Sequence, residues 1–447
     1  MQLAKAGDGR ASKHARRPFG HSWISAGAYD PAMRSPKLAK DRTNDWYRYY
    51  AGYSPAFVED ALEATQAGTD GLVVDPWNGS GTTTAVAQSL GVPAVGYDIN
   101  PALVVIARSR LLGPEVAASV QPLAKDLVDH AKDLRPNWPA DPLLAWFTTA
   151  SAQEIRRIYE AIHRILVDPS QPPGAGSALD IAAPSPFASL FFVALFHAVR
   201  SHVSEFVSSN PTWIKALAVE PKSLPPGAIY DSFSDACKTL ALTLRTQPFS
   251  RWPAVVELAS SSSIPLSNEV ASAIITSPPY CTRIDYVVAT RPELAVLGVS
   301  PAEARLLRDR MLGTPTIMTQ KGEPDPHWGE AANGLIARVS AHSSRASATY
   351  YRTYYLQYLA SMWQSFGELR RVLRKGGSAI IVIQDSYYKD IHVDLPLILS
   401  EMGSAIGLHS VRRTDFSTAT MASINRSSRT WRANFRATES VLHLVRE

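Results

Sequence analysis

Cysteine is nearly absent from this 447-residue chain: only Cys237 and Cys281 occur. That excludes a disulfide framework and a cysteine-rich zinc site. The eleven histidines form no HExxH pair, so no metal ligand set is read. The N-terminal stretch MQLAKAGDGRASKHARRPFG has no apolar core segment and does not read as a secretory leader. Long apolar runs are also missing. The nearest, 181–199, contains Pro184, Pro186 and His197, and its strongest part, FASLFFVALFHAV, is too short to cross a bilayer. A buried helix is expected there. The reading is a soluble, cytoplasmic chain that does not span a membrane.

What is present is a large apolar fraction, 45%, and a mild net charge of +5. That charge permits a polyanionic partner without requiring one. Residues 1–45 are basic and irregular, either a disordered arm or a phosphate-contacting extension. From Ser54-Pro55 an α/β pattern begins, with an N-cap and a first-turn proline. GLVVDPW reads as a short strand, GTTTAVAQSLG as a helix and PAVGYDINP as a second strand, which makes a βαβ unit. Residues 111–250 read as a mostly helical insertion in a catalytic region formed by 46–110 and 251–447. AVVELAS and ASAIITSPPY are further strands, and an irregular stretch is expected over about 281–348. A long helix then carries Tyr355, Leu359, Met362, Phe366, Leu369 and Leu373 at three- and four-residue steps and ends at Gly376-Gly377. SAIIVIQDS and ESVLHLVR are the closing strands.

Two motifs carry chemistry. In VVDPWNGSGTTTAVA, Gly79 and Gly81 stand between a strand and a helix, where they let a ligand approach exposed backbone N–H groups. No lysine follows, so this is not a GxxxxGK[ST] phosphate loop, and Thr84 replaces the third small residue of a dinucleotide loop. Asp98 ends the next strand, at the place of an acceptor for ribose hydroxyls. A ribose-bearing ligand fits this pattern; a purely structural turn, with Asp98 capping the following helix, is the plainer alternative. The second motif is Thr276-Ser277-Pro278-Pro279-Tyr280. Two prolines close a buried strand and stiffen the chain after it.

Taken together, DPWNGSGTT, YDINP and TSPPY resemble the S-adenosylmethionine-dependent methyltransferases that modify exocyclic amino groups of nucleic-acid bases. The resemblance covers about 50–110 and 250–447. It implies an α/β, Rossmann-like class I methyltransferase sheet with a mostly helical insertion. It implies S-adenosyl-L-methionine as cofactor, held by Asp75, Pro76, Asn78, Gly79, Gly81, Thr82, Asp98 and Thr276. It implies a catalytic tip of Ser277, Pro278, Pro279 and Tyr280 acting on a base flipped out of double-stranded DNA. The serine form of the tip is associated with cytosine N4; adenine N6 stays open, as does a transfer-RNA guanine-N2 enzyme or a non-catalytic nucleic-acid-binding protein. Candidate substrate contacts are Arg283, Asp285, Trp213 and Lys215, with the insertion as target-recognition region and a restriction or defence protein as partner. Cys281 reads as packing. One departure stands out: the family's acid at the end of the preceding strand is Ser260 here, with Glu257 as a poorly placed substitute.

Overall fold

In the computed structural model, residues 33–37, 46–47, 49, 51–68, 70–167, 184–203, 220–282, 284–317, 322–418 and 437–447 are described. Ser54 opens α1 (Pro55–Thr65) by accepting from the Phe57 N–H. Then follow β1 (Leu72–Asp75), α2 (Thr82–Ser89), β2 (Ala94–Asp98) and α3 (Pro101–Ser109). Four longer helices come next: α4 (Ala117–Asp133), α5 (Thr149–Ile162), α6 (Pro186–His202) and α7 (Ala228–Thr246). The sheet resumes with β3 (Ala254–Leu258) and β4 (Ala271–Thr276).

The stretch after β4 differs from the irregular region read from sequence. It carries α8 (Tyr286–Ala289), α9 (Arg291–Val296), α10 (Pro301–Arg310) and α11 (Glu330–Ala341). These helices are short, so periodicity gives little signal, and their start signals are local. Asp285 caps α8, and Ser300 with Glu303 forms a reciprocal capping box on α10.

The chain ends with α12 (Arg352–Val372), β5 (Leu373–Gln384), a hairpin of β6 (Ser386–Tyr388) and β7 (Ile391–Val393), α13 (Leu395–Ala405), β8 (Leu408–Thr418) and β9 (Ala437–Arg446). α12 stops before Gly376-Gly377. Those glycines lie inside β5, where the pairing with β4 jumps from Ala271↔Leu373 to Ala273↔Ser378. Gly376, at φ 69°, takes the conformation that such a bulge needs.

The seven-stranded order is β3-β2-β1-β4-β5-β9-β8. The first five strands run parallel, and β9 is antiparallel to both β5 and β8. This is the α/β sheet expected from the sequence. The order reverses between β1 and β4, so a crevice lies beyond their carboxyl ends. Beyond the irregularity at Ala271–Ala273, side chains alternate across the central strands. Val73, Ala273, Ile275, Ile380 and Val382 pack towards α1 and α2. Val74, Ile274, Ile381 and Ile383 face the opposite side, in the core that holds α11, α12 and α13.

The helices α4–α7 build a third core with α3 and α9. α6 is apolar on nearly every side, and Leu190, Phe191, Val193, Leu195, Phe196 and Val199 are fully buried, as expected of a core helix. Among the described residues no helix is long and apolar enough to cross a membrane. Two arginines, Arg156 buried and Arg200 half-buried, fix these helices to the chain that follows β4. Arg156 on α5 forks onto Asp141 at 2.7 and 2.9 Å and donates to the carbonyls of Ala295 and Val296 at the end of α9. Arg200 on α6 binds Glu293 on α9. Each pair satisfies charges that would otherwise be costly to bury.

Candidate active site

The turn after β1 is built around Asp75, which is 1% exposed. Its carboxylate accepts from the hydroxyls of Tyr53, Thr83 and Thr276 at 2.9, 2.6 and 2.6 Å, and from the Trp77 N–H at 3.1 Å. Burial pushes its pKa up, and these four donors oppose the rise. Asp75 and Thr276 therefore face each other inside the sheet and join the two sides of the crevice. Pro76 is buried beside them.

The glycine loop follows. Gly79 and Gly81 have φ of 52° and 84°, values that suit glycine. A Cβ on Gly81 would stand 2.7 Å from the Ala107 methyl. The Gly79 N–H donates to Asp98 Oδ2 at 3.0 Å, and Asp98 Oδ1 accepts from the Asn100 N–H at 2.8 Å. Asp98 is half-buried, and burial raises its pKa to about 6. A carboxylate has about four lone-pair sites, so acceptor capacity remains at the crevice. Asn100, not Asp98, caps α3, through the Ala102 N–H.

Asn78 is 4% exposed and lies against Gly96, where a Cβ would come within 2.3 Å of its Cγ. Its Oδ1 accepts from Thr84, while its Nδ2 has no hydrogen-bond partner. Thr82 opens α2, with Arg110 bridging its hydroxyl and the Ser80 carbonyl. Tyr49 covers the loop: its ring lies 3.8 Å from where a Gly79 Cβ would be, and burial with the Asp98 charge raises its pKa.

The Ser277–Tyr280 tip projects from β4 on the other side of the switch point. Pro278 is buried; Ser277, Pro279 and Tyr280 are half-buried. Tyr358 on α12 donates to the Pro279 carbonyl at 2.9 Å. The Tyr280 phenol donates to Glu439 on β9 at 3.0 Å, and burial raises its pKa well above the usual value. The Tyr286 hydroxyl accepts from the Tyr280 N–H at 3.4 Å. Ser386 donates to the Cys281 carbonyl at 3.3 Å, and the Cys281 side chain is buried. Gly313, at φ 78°, brings the returning chain against the Tyr280 carbonyl.

Asp285 is committed locally. It caps α8 through the Val288 N–H and pairs with Arg308 at 2.5 Å. Arg283, Trp213 and Lys215 lie outside the described residues. Ser260 hydrogen-bonds Ser262 at the end of the β3 turn, and Glu257 is exposed on the edge strand. Beside that edge, an apolar pocket is lined by Pro101, Val104, Tyr159, Phe192, Leu258 and Leu297. Among the described residues, no group of histidine, cysteine and acid side chains could hold a metal.

Sequence reasoning missed Tyr49, Tyr53, Tyr358, Ser386 and Glu439. The aromatic cluster YRYYAGY just ahead of the cofactor loop was a readable signal for the first two. The others had none, because they lie far along the chain.

A family model described as DNA methylase, of the N6/N4 methyltransferase type, matches residues 3–109. The likeness is to amino-methyltransferases. Type II methyltransferase M.AvaI from Nostoc sp. is 28% identical over 30% of each chain, and the Anabaena variabilis protein of the same name matches equally. Type II methyltransferase M.BsoBI from Geobacillus stearothermophilus is 36% identical over 58 residues, 13% of this chain and 11% of its own. The chain thus matches less than a third of the length of these relatives. An rRNA methyltransferase from Streptomyces viridochromogenes aligns over 93% of this chain and 96% of its own, at 10% identity and a TM-score of 0.30.

Proposed function

We propose that the chain methylates an exocyclic amino group of a DNA base, cytosine N4 ahead of adenine N6, using S-adenosyl-L-methionine. The observation that carries this reading is the meeting of the SPPY tip with the glycine loop and Asp98 across one switch point. The resemblance to Type II methyltransferases supports it.

The residues present fit such a cofactor. Gly79, with open space beside it under Tyr49, lets a ligand approach the backbone, and Gly81 lets the turn pack closely on Ala107 of α3. Asn78 Nδ2 is a buried donor without a partner. Asp98 keeps acceptor capacity for ribose hydroxyls. The largely apolar pocket by Leu258 and Pro101 suits the face of an adenine ring. When bound, the sulfonium supplies an electrophilic methyl group.

The protein's own task is to make a poor nucleophile reactive. The amino lone pair is delocalised into the base. Acceptors at Ser277 Oγ and the Pro278 carbonyl hold the amino hydrogens and favour a tetrahedral nitrogen. Tyr280 stacks on the flipped base. The prolines fix both groups before substrate arrives. The released amino proton goes to water. Asp75 and Thr276 act from inside, keeping the cofactor loop and the tip in register. Residues 111–250, with Trp213 and Lys215, are assigned to target recognition, and Arg283 and Asp285 to the substrate side of the tip. The partner is a restriction or defence protein.

The test is incubation with labelled S-adenosylmethionine and separate DNA and RNA pools, then nucleoside analysis. N4-methylcytosine in DNA is the expected product. N6-methyladenine would move the assignment to adenine. Label only in RNA, or in neither pool, would overturn it.

A further inference from the structure

The tip is held at three consecutive residues by three separate elements: Pro279 by Tyr358 of α12, Tyr280 by Glu439 of β9 and Cys281 by Ser386 of β6. The first and third contacts grip the backbone. Neither they nor the prolines set the two side-chain torsions of Tyr280, which decide where its ring plane lies. Contacts at the far end of the ring do so: the Tyr280 hydroxyl meets Ser277 within the tip and Glu439 on β9, and Glu439 is the one that ties the ring to the sheet.

Glu439 is itself well anchored. The preceding residue, Thr438, is tied to Asp385 in both directions: the Asp385 N–H donates to the Thr438 carbonyl at 3.0 Å, and the Thr438 N–H to Asp385 Oδ1 at 2.7 Å. The other oxygen of Asp385 meets His392 Nε2 at 2.8 Å. Glu439 stands opposite Gln384 of β5 and Phe416 of β8. Burial raises its pKa, while the Tyr280 hydroxyl and the charge of Lys37 oppose the rise. Lys37 is brought there by a short segment stapled to α1. Arg34 forks onto Asp60, and the Pro36 carbonyl accepts from the Ser54 N–H at 2.8 Å. A half-buried carboxylate at this place in the sheet carries a desolvation cost that an apolar residue would avoid. Its return is a strong, directional acceptor for a phenol.

We infer that Glu439 is a positioning residue for the transfer reaction, fixing through its carboxylate the plane of the Tyr280 ring against which the substrate base lies. This inference rests on the methyltransferase reading of the tip.

The test uses the full chain, labelled S-adenosylmethionine and unmodified genomic DNA, with an RNA pool alongside. A 19F signal from 3-fluorotyrosine at position 280, assigned by its loss in Y280F, reports the ring directly. Glu439→Ala is expected to lower kcat about tenfold to a hundredfold, the scale of a small misplacement, with the KM for S-adenosylmethionine unchanged. It should also shift and sharpen the 19F signal. Glu439→Gln keeps an acceptor oxygen and should stay within about threefold of wild type. Tyr280→Phe should fall as far as Glu439→Ala, and the double variant no further. If Glu439→Ala does not fold, the Glu439→Gln and Tyr280→Phe variants still decide the matter. An active wild type whose Glu439→Ala variant leaves kcat and the ring signal unchanged overturns the inference alone, as does a Tyr280→Phe variant within about threefold of wild type, or losses that multiply in the double variant. A wild type that methylates neither DNA nor RNA overturns the functional reading, and this inference with it.

Discussion

The two sides of the crevice are built on opposite plans. The cofactor side is local: Asp75 meets Thr83 and Tyr53 at separations of 8 and 22 residues, and Gly79 meets Asp98 at 19. The tip is assembled from afar. Pro279, Cys281 and Tyr280 find Tyr358, Ser386 and Glu439 at separations of 79, 105 and 159. The contacts that cross between the sides gather at one point: Thr276 donates to Asp75 across 201 residues, and the Tyr53 and Thr83 hydroxyls reach the Ile275 carbonyl across 222 and 192. A loop whose shape is set by its own glycines can bind whether or not the distant strands are in place. A tip held by remote side chains depends on the whole sheet. Cofactor binding and methyl transfer should therefore be separable by mutation.

Four substitutions sharpen or break that division. The largest effect is expected from Tyr280→Ala. Methyl transfer should fall at least about a hundredfold, while cofactor affinity by calorimetry changes less than about threefold. Equal loss of both would erase the distinction. Gly81→Ala should act on the other side. It forces a Cβ to 2.7 Å from Ala107 at φ 84°, a strain of about 1–3 kcal/mol, visible as a lower urea midpoint and weaker cofactor binding.

Asp98→Asn should weaken cofactor binding about tenfold, the loss of a charged acceptor, without moving the Tyr280 ring signal. Burial holds Asp98 at a pKa of about 6, so wild-type affinity should fall as the pH drops through 6, and the Asn variant should lack that step. The sign for folding is opposite. A carboxyl raised above its usual 3.8 favours the folded state when protonated, so its contribution to apo stability declines as the pH rises from 3.8 to about 6. The smallest effect is expected from Thr276→Val, which removes one of four donors to Asp75. It should cost about 1–2 kcal/mol in denaturant unfolding and impair binding and transfer together, because it is shared.

The same contrast explains what was legible in the sequence. The glycines, Asp98 and the two prolines act through their own backbone geometry, so residue type and spacing disclose them. The α/β class of the sheet follows from the alternation of strands with helices, and the burial of α6 from its apolar composition. Glu439 could not be found this way. It is one acid in an ordinary strand pattern, and its role exists only because β9 enters between β5 and β8. The helices after the tip were missed because four to twelve residues give periodicity too little room. The end of α12 was misplaced because Gly376-Gly377 looks like a helix cap, although Leu373 already pairs with Ala271. The covering of the glycine loop by Tyr49 is likewise a tertiary fact.

The late entry of β9 also has a consequence in time. A ribosome adding about 5–20 residues per second needs roughly 8–30 s to pass from Tyr280 to Glu439, 159 positions apart. During that interval the nascent chain already contains both glycines and Asp98, whose contacts need nothing made later. The aromatic ring at the tip, in contrast, waits for its partner. The growing polypeptide can thus acquire a place for the methyl donor well before it acquires a competent place for the acceptor.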